Sequence, residues 1–175
     1  MSQVLSHHQE RFFTVVSLSE EDTRRLGRIL AELLPDGTIV RLEGTLGSGK
    51  TRLVQAVAEA ADCGHHFVVS PTFVMVQRYL GKRGITHIDA YRVTSIREFL
   101  ELGVEELFDS DDLVFVEWAD RVSEALPAEA LTIEITIQGD TERHFRIRSI
   151  WPGHEGLFIA LQEAARRAGL SAGQA

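Results

Sequence analysis

The chain has 175 residues, of which 44% are hydrophobic and 25% are charged, and this balance predicts one domain with a buried core. Its 26 acidic residues outnumber its 18 basic residues, so the net charge of −8 argues against unaided binding to nucleic acid. The single cysteine excludes an internal disulfide, and the sequence has neither a signal-peptide pattern nor a run of about 18 apolar residues that could span a membrane. We therefore expect a cytoplasmic, single-domain protein over residues 1–175, with loose termini at residues 1–10 and 171–175.

Strand and helix patterns alternate in the first third of the chain. Residues 11–17 predict a β-strand, and Ser19, with Asp22 three residues later, forms a capping box that begins a helix. That helix is expected to end at Pro35. A β-branched run at residues 38–42 predicts a second strand, which leads directly into a glycine-rich loop and a second amphipathic helix.

The rest of the chain predicts mainly β-structure. Residues 67–93 alternate between apolar and polar side chains around a turn at 81–84, which predicts a β-hairpin, and the apolar run at 113–116 predicts a buried parallel strand. The other predicted elements are a helix at 95–102 with Gly103 as its left-handed C-cap, strands at 131–138 and 143–150 around the Gly139-Asp140 turn, and a helix from about 154 to 167 closed by Gly169. This order predicts an α/β sandwich with a mixed, mostly parallel central sheet, flanking helices and a β-hairpin insertion.

The glycine-rich loop is the strongest functional signal. Its residues, Gly44-Thr45-Leu46-Gly47-Ser48-Gly49-Lys50-Thr51, match the pattern G-x-x-x-x-G-K-[ST] between a predicted strand and a predicted helix. Glycines allow the backbone N–H groups to form an anion-binding nest at the start of the helix. Lys50 is expected to meet the β- and γ-phosphates, and the Thr51 hydroxyl is expected to ligate magnesium. We therefore predict a P-loop NTPase-like fold that binds ATP and Mg²⁺. A chance glycine-rich turn is the alternative, which the flanking elements disfavour.

Two carboxylates are candidates for the chemistry beside this loop. Glu117 closes the predicted strand at 113–116, at the strand end where a second magnesium ligand of a P-loop site lies. Asp89 alternates in phase with His87 and Tyr91, so the three are expected to share one face of a strand. Asp89 could there orient an attacking water. For both carboxylates the alternative is an ordinary solvated residue.

Four ordered motifs together resemble the TsaE family, the small bacterial ATPases of tRNA threonylcarbamoyladenosine biosynthesis. They are the glycine loop, Ser70-Pro71-Thr72-Phe73, His87-x-Asp89-x-Tyr91-Arg92 and Val116-Glu117-Trp118, and the similarity runs from about Ser19 to Ile147. The resemblance implies a P-loop fold and magnesium-dependent ATP hydrolysis. It also implies action with the TsaB and TsaD proteins on a modification beside the tRNA anticodon, with tRNA met only through that complex.

The resemblance assigns roles to single residues. It makes Lys50 a nucleotide-binding and catalytic residue, with Thr45, Leu46, Gly47, Ser48 and Gly49 of the same loop around the nucleotide. Thr51 and Glu117 become the magnesium ligands. Asp89 becomes the catalytic carboxylate.

The resemblance also covers residues around this centre. It places Glu20 near the adenine, residues 70–72 in a switch-type segment near the γ-phosphate, and Trp118 beside the site. The family's loop usually reads G-D-L-G-A-G-K-T-T, whereas this chain has Thr45 in place of the acidic residue and Arg52 in place of the final Thr. Arg52 thus brings a cation near the α-phosphate. Backbone donors survive both changes, so ATP binding is expected to persist.

Two other functions fit the sequence in part. A P-loop small-molecule kinase would share the loop but would need an acceptor pocket and a lid of arginines. The clustered candidates for such a lid, Arg143, Arg146 and Arg148, fall on a predicted strand. A nucleotide-gated scaffold, in which hydrolysis only resets a complex, has the same sequence signature as a motor-like ATPase.

Overall fold

The computed structural model describes residues 10–63 and 75–172. Its strands are β1 Arg11–Ser17, β2 Ile39–Glu43, β3 Val76–Tyr79, β4 Ile85–Asp89, β5 Leu113–Glu117, β6 Leu131–Ile137, β7 Arg143–Ser149 and β8 Ser171–Ala172. Its α-helices are α1 Glu20–Leu33, α2 Lys50–Ala60, α3 Ile96–Leu100, α4 Val104–Phe108 and α5 Glu155–Arg167. Short 3-10 helices span Ala119–Ala125 and Pro152–His154.

All these strands join in one sheet with the order β3-β4-β5-β2-β6-β7-β1-β8. The predicted mixed α/β sheet is confirmed, but the expectation that it is mostly parallel is wrong. Among the described strands, three neighbouring pairs are parallel, namely β4 with β5, β5 with β2 and β2 with β6, and four are antiparallel. Two of the antiparallel pairs, β3 with β4 and β6 with β7, are hairpins, whose short turns can only join antiparallel neighbours. The other two pair β1 with β7 and β8, which are distant in the chain.

Helices cover the sheet on two faces. On one face α1, α2 and α5 enclose a core that includes Leu113 and Phe115 of β5. On the other face α3, α4 and the first 3-10 helix cover Val114 and Val116 of the same strand. Alternate residues of β5 therefore enter different cores, which explains its continuous apolar run.

The first helix begins as predicted. The Ser19 side chain accepts a hydrogen bond from the Asp22 N–H at 3.2 Å, and the helix ends at the Leu34 cap, one residue before Pro35. The Asp22 carboxylate accepts a hydrogen bond from the Leu18 N–H at 3.0 Å. In a standard capping box it would instead accept one from the N–H of the N-cap residue, here Ser19.

Several expected elements differ in extent. The helix expected at 95–102 is α3 alone, and Gly103, left-handed as predicted with a φ of 73°, separates it from an unpredicted α4. Ser171 and Ala172 were expected in a loose terminus, but they pair with Val16 and Val15 of β1. The first part of the expected hairpin, residues 67–74, lies outside the described residues. In the described part of the chain, no helix combines the length and apolar character needed to cross a bilayer.

Gly27 sets the close approach of α1 to α2. A Cβ atom at this position would lie 2.5 Å from Ala56 Cβ, 2.7 Å from the Ala56 carbonyl carbon and 2.9 Å from the Val57 nitrogen. Two of these atoms are backbone, so Gly27→Ala must push the helices apart. Overpacking of this kind costs roughly 1–3 kcal/mol, against a helix-propensity gain of about 1 kcal/mol. We expect a net fall in the melting temperature of a few degrees.

Gly156→Ala is the matched control for this change. Gly156 lies in α5 with no atom within 4 Å of its Cβ position, so alanine there is expected to keep or raise the melting temperature. Thermal unfolding of the two variants measures the contrast. A Gly27→Ala protein that melts at or above the unsubstituted protein would contradict the tight contact.

Candidate functional site

The glycine loop lies at the edge where the parallel strands end. It follows β2 and runs into α2, which begins at Lys50. Sheet pairing places Glu117 at the end of β5, between Leu42 of β2 and Asp89 of β4. The sequence-predicted carboxylates and the loop are therefore neighbours at the carboxyl edge of the sheet, where open α/β sheets bind ligands.

Three glycines give the loop its shape. Gly44, Gly47 and Gly49 have φ angles of 144°, 77° and 108°, a region that other residues rarely adopt. A Cβ on Gly44 would also lie 2.5 Å from the Ile135 carbonyl oxygen, whereas the Cβ positions of Gly47 and Gly49 have no atom within 4 Å. The backbone of Gly47 and Gly49 is therefore open to a ligand, as a phosphate cradle requires.

Lys50 is buried beneath this loop, with 4% of its surface exposed. Its Nζ donates hydrogen bonds to the carbonyl oxygens of Gly44 at 2.8 Å and Thr45 at 3.0 Å, and it lies 3.9 Å from the ring centroid of Trp118. Burial lowers the pKa of Lys50, and the carboxylates of Glu117, Asp89 and Asp120 act in the opposite direction. The lysine charge therefore lies between the loop and the carboxylates.

Thr51 and Glu117 are in direct contact. The Thr51 hydroxyl donates a 2.6 Å hydrogen bond to Oε1 of Glu117, and His87 Nε2 lies 2.8 Å from the same oxygen. Glu117 is only 3% exposed, so the alternative of a solvated strand-end residue does not hold. The two expected magnesium ligands are thus brought together, with a histidine to which the sequence assigned no role.

Asp89 is 2% exposed at the end of β4 and accepts a hydrogen bond from the Tyr91 N–H at 2.9 Å. His87 and Asp89 share the strand as expected. The placement of Tyr91 on that strand is wrong, because β4 ends at Asp89 and Tyr91 lies in the following turn. Its ring centroid is 5.0 Å from that of Trp118, which has a left-handed φ of 58°.

A cleft of about 300 Å³ continues from the loop toward the start of α1. Its lining comes from α1, the loop, α2 and the segment from the β6–β7 turn into β7, and includes Glu20, Thr23, Gly47, Ser48, Gly49, Arg52, Thr141 and Arg143. Arg52 forms ion pairs with Glu20 at 3.5 Å and Glu59 at 3.4 Å, which hold it along one wall. Glu20 and Arg52 therefore lie together in the cleft that adjoins the glycine loop.

Arg143 is a site residue that sequence reasoning weighed only for a kinase lid. Its Nε donates to the Ser48 carbonyl oxygen at 3.2 Å, so it braces the loop from β7. Arg148 instead pairs with Glu43 at 2.9 Å, and Arg146 lies 4.0 Å from Glu10. The sequence predicts the turn at Gly139-Asp140. It does not predict that this turn lies beside the glycine loop, because that position follows from the order of the strands in the sheet.

Of the remaining residues predicted for the site, the structure describes Leu46 and Ser48 but not the segment 70–72. Leu46 is 79% exposed at the tip of the loop, and the buried Ser48 hydroxyl has no hydrogen-bond partner within residues 10–63 and 75–172. The expected switch segment, residues 70–72, lies outside the described residues.

Comparisons with known proteins point to one family. The family described as "Threonylcarbamoyl adenosine biosynthesis protein TsaE" matches residues 17–145. Proteins named tRNA threonylcarbamoyladenosine biosynthesis protein TsaE are similar to this chain. The one from Treponema pallidum is 33% identical over 132 residues, which cover 75% of this chain and 97% of that protein. The one from Aquifex aeolicus is 36% identical over 135 residues, 76% of this chain and 93% of that protein.

A solved structure has the same architecture. The crystal structure of YdiB from Bacillus subtilis superposes with a TM-score of 0.75 at 28% identity, covering 92% of this chain and 99% of that one.

Proposed function

Because the chain belongs to the TsaE family of tRNA threonylcarbamoyladenosine biosynthesis proteins, we propose that it is a magnesium-dependent ATPase of that modification. It acts in the cytoplasm with TsaB and TsaD proteins, and binds tRNA only as part of a complex with them. One observation carries the ATPase part of this proposal. The glycine loop with its buried Lys50, the hydrogen-bonded pair Thr51 and Glu117, and Asp89 all lie at the same edge of the sheet.

The residues present fit magnesium. Thr51 donates its hydroxyl hydrogen to Glu117, so the lone pairs of the hydroxyl oxygen remain available to a hard cation that prefers oxygen ligands. Thr51 would hold the ion directly, and Glu117 would hold it directly or through a bound water. When bound, magnesium supplies positive charge that neutralises the phosphate oxygens during transfer.

In this proposal the loop and the adjoining cleft hold different parts of one nucleotide. Phosphates are held by the backbone of residues 44–51 and by the Lys50 ammonium, which exchanges its contacts with the Gly44 and Thr45 carbonyls for phosphate oxygens. The nucleoside extends into the cleft beside Glu20 and Arg52. Asp89 accepts a hydrogen bond from the attacking water and orients it toward the γ-phosphorus.

The isolated protein is expected to hydrolyse ATP slowly, with turnover rising when TsaB and TsaD dock and tRNA is added. The net charge of −8 disfavours autonomous RNA contact, so tRNA binding at physiological salt should also depend on the partners. The measurement compares phosphate release by the protein alone, with both partners, and with partners and tRNA, beside a tRNA-binding titration.

Two results would contradict this reading. Full-rate turnover or tight tRNA binding by the protein alone would remove the need for partners. Transfer of phosphate to a metabolite instead of water would favour a kinase, although Arg146 and Arg148 pair with glutamates away from the cleft.

A further inference from the structure

His87 is a fully buried histidine in the middle of β4. Its side chain is 0% exposed, and in the sheet register it lies opposite Phe115 of the neighbouring β5. From that position it reaches diagonally along β5 to Glu117, where Nε2 is 2.8 Å from Oε1. Its polar contact is therefore directed at the carboxylate that we assign to magnesium.

The hydrogen-bond directions at this oxygen are defined by its chemistry. Oε1 of Glu117 accepts from the Thr51 hydroxyl at 2.6 Å. A carboxylate oxygen accepts hydrogen bonds, so Nε2 of His87 carries the hydrogen and donates as well. Two donors from different elements, α2 and β4, thus converge on one oxygen and fix the rotation of the carboxylate.

The other ring nitrogen of His87 gives independent support. Nδ1 is buried and has no hydrogen-bond partner among the described residues. A buried polar atom without a partner is costly, and native proteins rarely keep one without a reason. If this position served packing alone, an apolar side chain would fill it without that cost. The histidine therefore serves the contact that its other nitrogen makes.

We propose that His87 is a positioning residue of the magnesium–nucleotide site. Its Nε2–H holds the Glu117 carboxylate so that Oε1 stays turned to the Thr51 hydroxyl, which directs that hydroxyl's lone pairs to the ion. Hydrogen-bond partners of metal-ligating groups commonly set metal affinity in this way. The inference rests on the proposed function, since it concerns the same ion.

Three variants separate positioning from packing. In His87→Gln the amide nitrogen stands close to the place of Nε2 and keeps the donor. In His87→Asn the amide nitrogen stands close to the place of Nδ1 and loses contact with Glu117. His87→Leu removes both nitrogens and leaves an apolar side chain in the same buried position. Calorimetric titration with a non-hydrolysable ATP analogue, at a series of magnesium concentrations and in EDTA, measures binding without turnover.

His87→Asn and His87→Leu are expected to raise the magnesium concentration at half-maximal nucleotide binding by roughly 10- to 100-fold. In EDTA, the nucleotide affinity of these variants should equal that of the unsubstituted protein. His87→Gln should reach half-maximal nucleotide binding at a magnesium concentration close to that of the unsubstituted protein. A purely structural role would instead lower affinity equally with and without magnesium.

Several outcomes would overturn the proposal. One is unaltered magnesium dependence in His87→Asn, and another is an equal loss in His87→Gln and His87→Asn. If His87→Leu does not fold, the comparison of His87→Gln with His87→Asn still tests the proposal. If the unsubstituted protein binds no nucleotide with magnesium, the proposed function fails as well, whereas normal binding in every variant overturns this inference alone.

Discussion

Lys50→Ala is expected to remove most of the thermal stabilisation that ATP and magnesium give to this protein. A ligand present at 100 times its Kd adds about 2.7 kcal/mol to the free energy of unfolding. For a domain of this size that corresponds to a rise of roughly 5–11 °C in melting temperature. The Lys50 ammonium lies under the loop within reach of the phosphate cradle, and alanine leaves no cation there.

Lys82→Ala is the control for this experiment. Lys82, the only other lysine of the chain, lies in the β3–β4 turn with 77% of its side chain exposed and pairs with Asp62 at 3.6 Å. It should keep the full ligand-induced shift. Comparing shifts rather than absolute melting temperatures removes any change in the stability of the free protein. An unsubstituted protein that does not shift at millimolar ATP would contradict the P-loop assignment.

Glu117→Gln and Asp89→Asn are expected to have different phenotypes. Glu117→Gln removes the charge that faces Thr51, so magnesium-dependent nucleotide binding should weaken by roughly 10- to 100-fold. Asp89→Asn leaves the Thr51–Glu117 contact in place and removes the carboxylate that we propose to orient the water. Binding should be spared, and turnover should fall by roughly 100-fold or more.

The two effects are separated by measuring affinity and turnover on each variant. Binding is titrated with and without magnesium, and phosphate release is followed with the partner proteins present. The opposite pattern, in which Asp89→Asn loses affinity while Glu117→Gln keeps both affinity and rate, would reverse the assigned roles.

Local patterns in the sequence predicted the elements that carry the site. The glycine loop needs only neighbouring residues to adopt its shape, and the apolar run of β5 reflects burial on both faces of one strand. Each of these features depends only on residues that are close to one another in the chain. They are therefore readable before the fold is known.

Features that depend on distant pairing were not readable. The contact of His87 with Glu117 exists because β4 and β5 are neighbours in the sheet, although 30 residues separate the two side chains. Arg143 reaches the loop across 95 residues because only β6 lies between its strand, β7, and β2 in the sheet. The two hairpins were expected from their turns, but the antiparallel pairing of β1 with β7 and β8 was not readable, because these strands lie far apart in the chain.

The tight crossing at Gly27 has a consequence for ligand recognition. It brings α1 close to α2, and the ion pairs Arg52–Glu20 and Arg24–Glu59 join the same helices at 3.5 Å and 3.9 Å. One wall of the cleft is on α1, and the phosphate loop is continuous with α2. In the proposed complex the two ends of the nucleotide would contact two helices that are already held together, so little conformational entropy would be lost in arranging them around it.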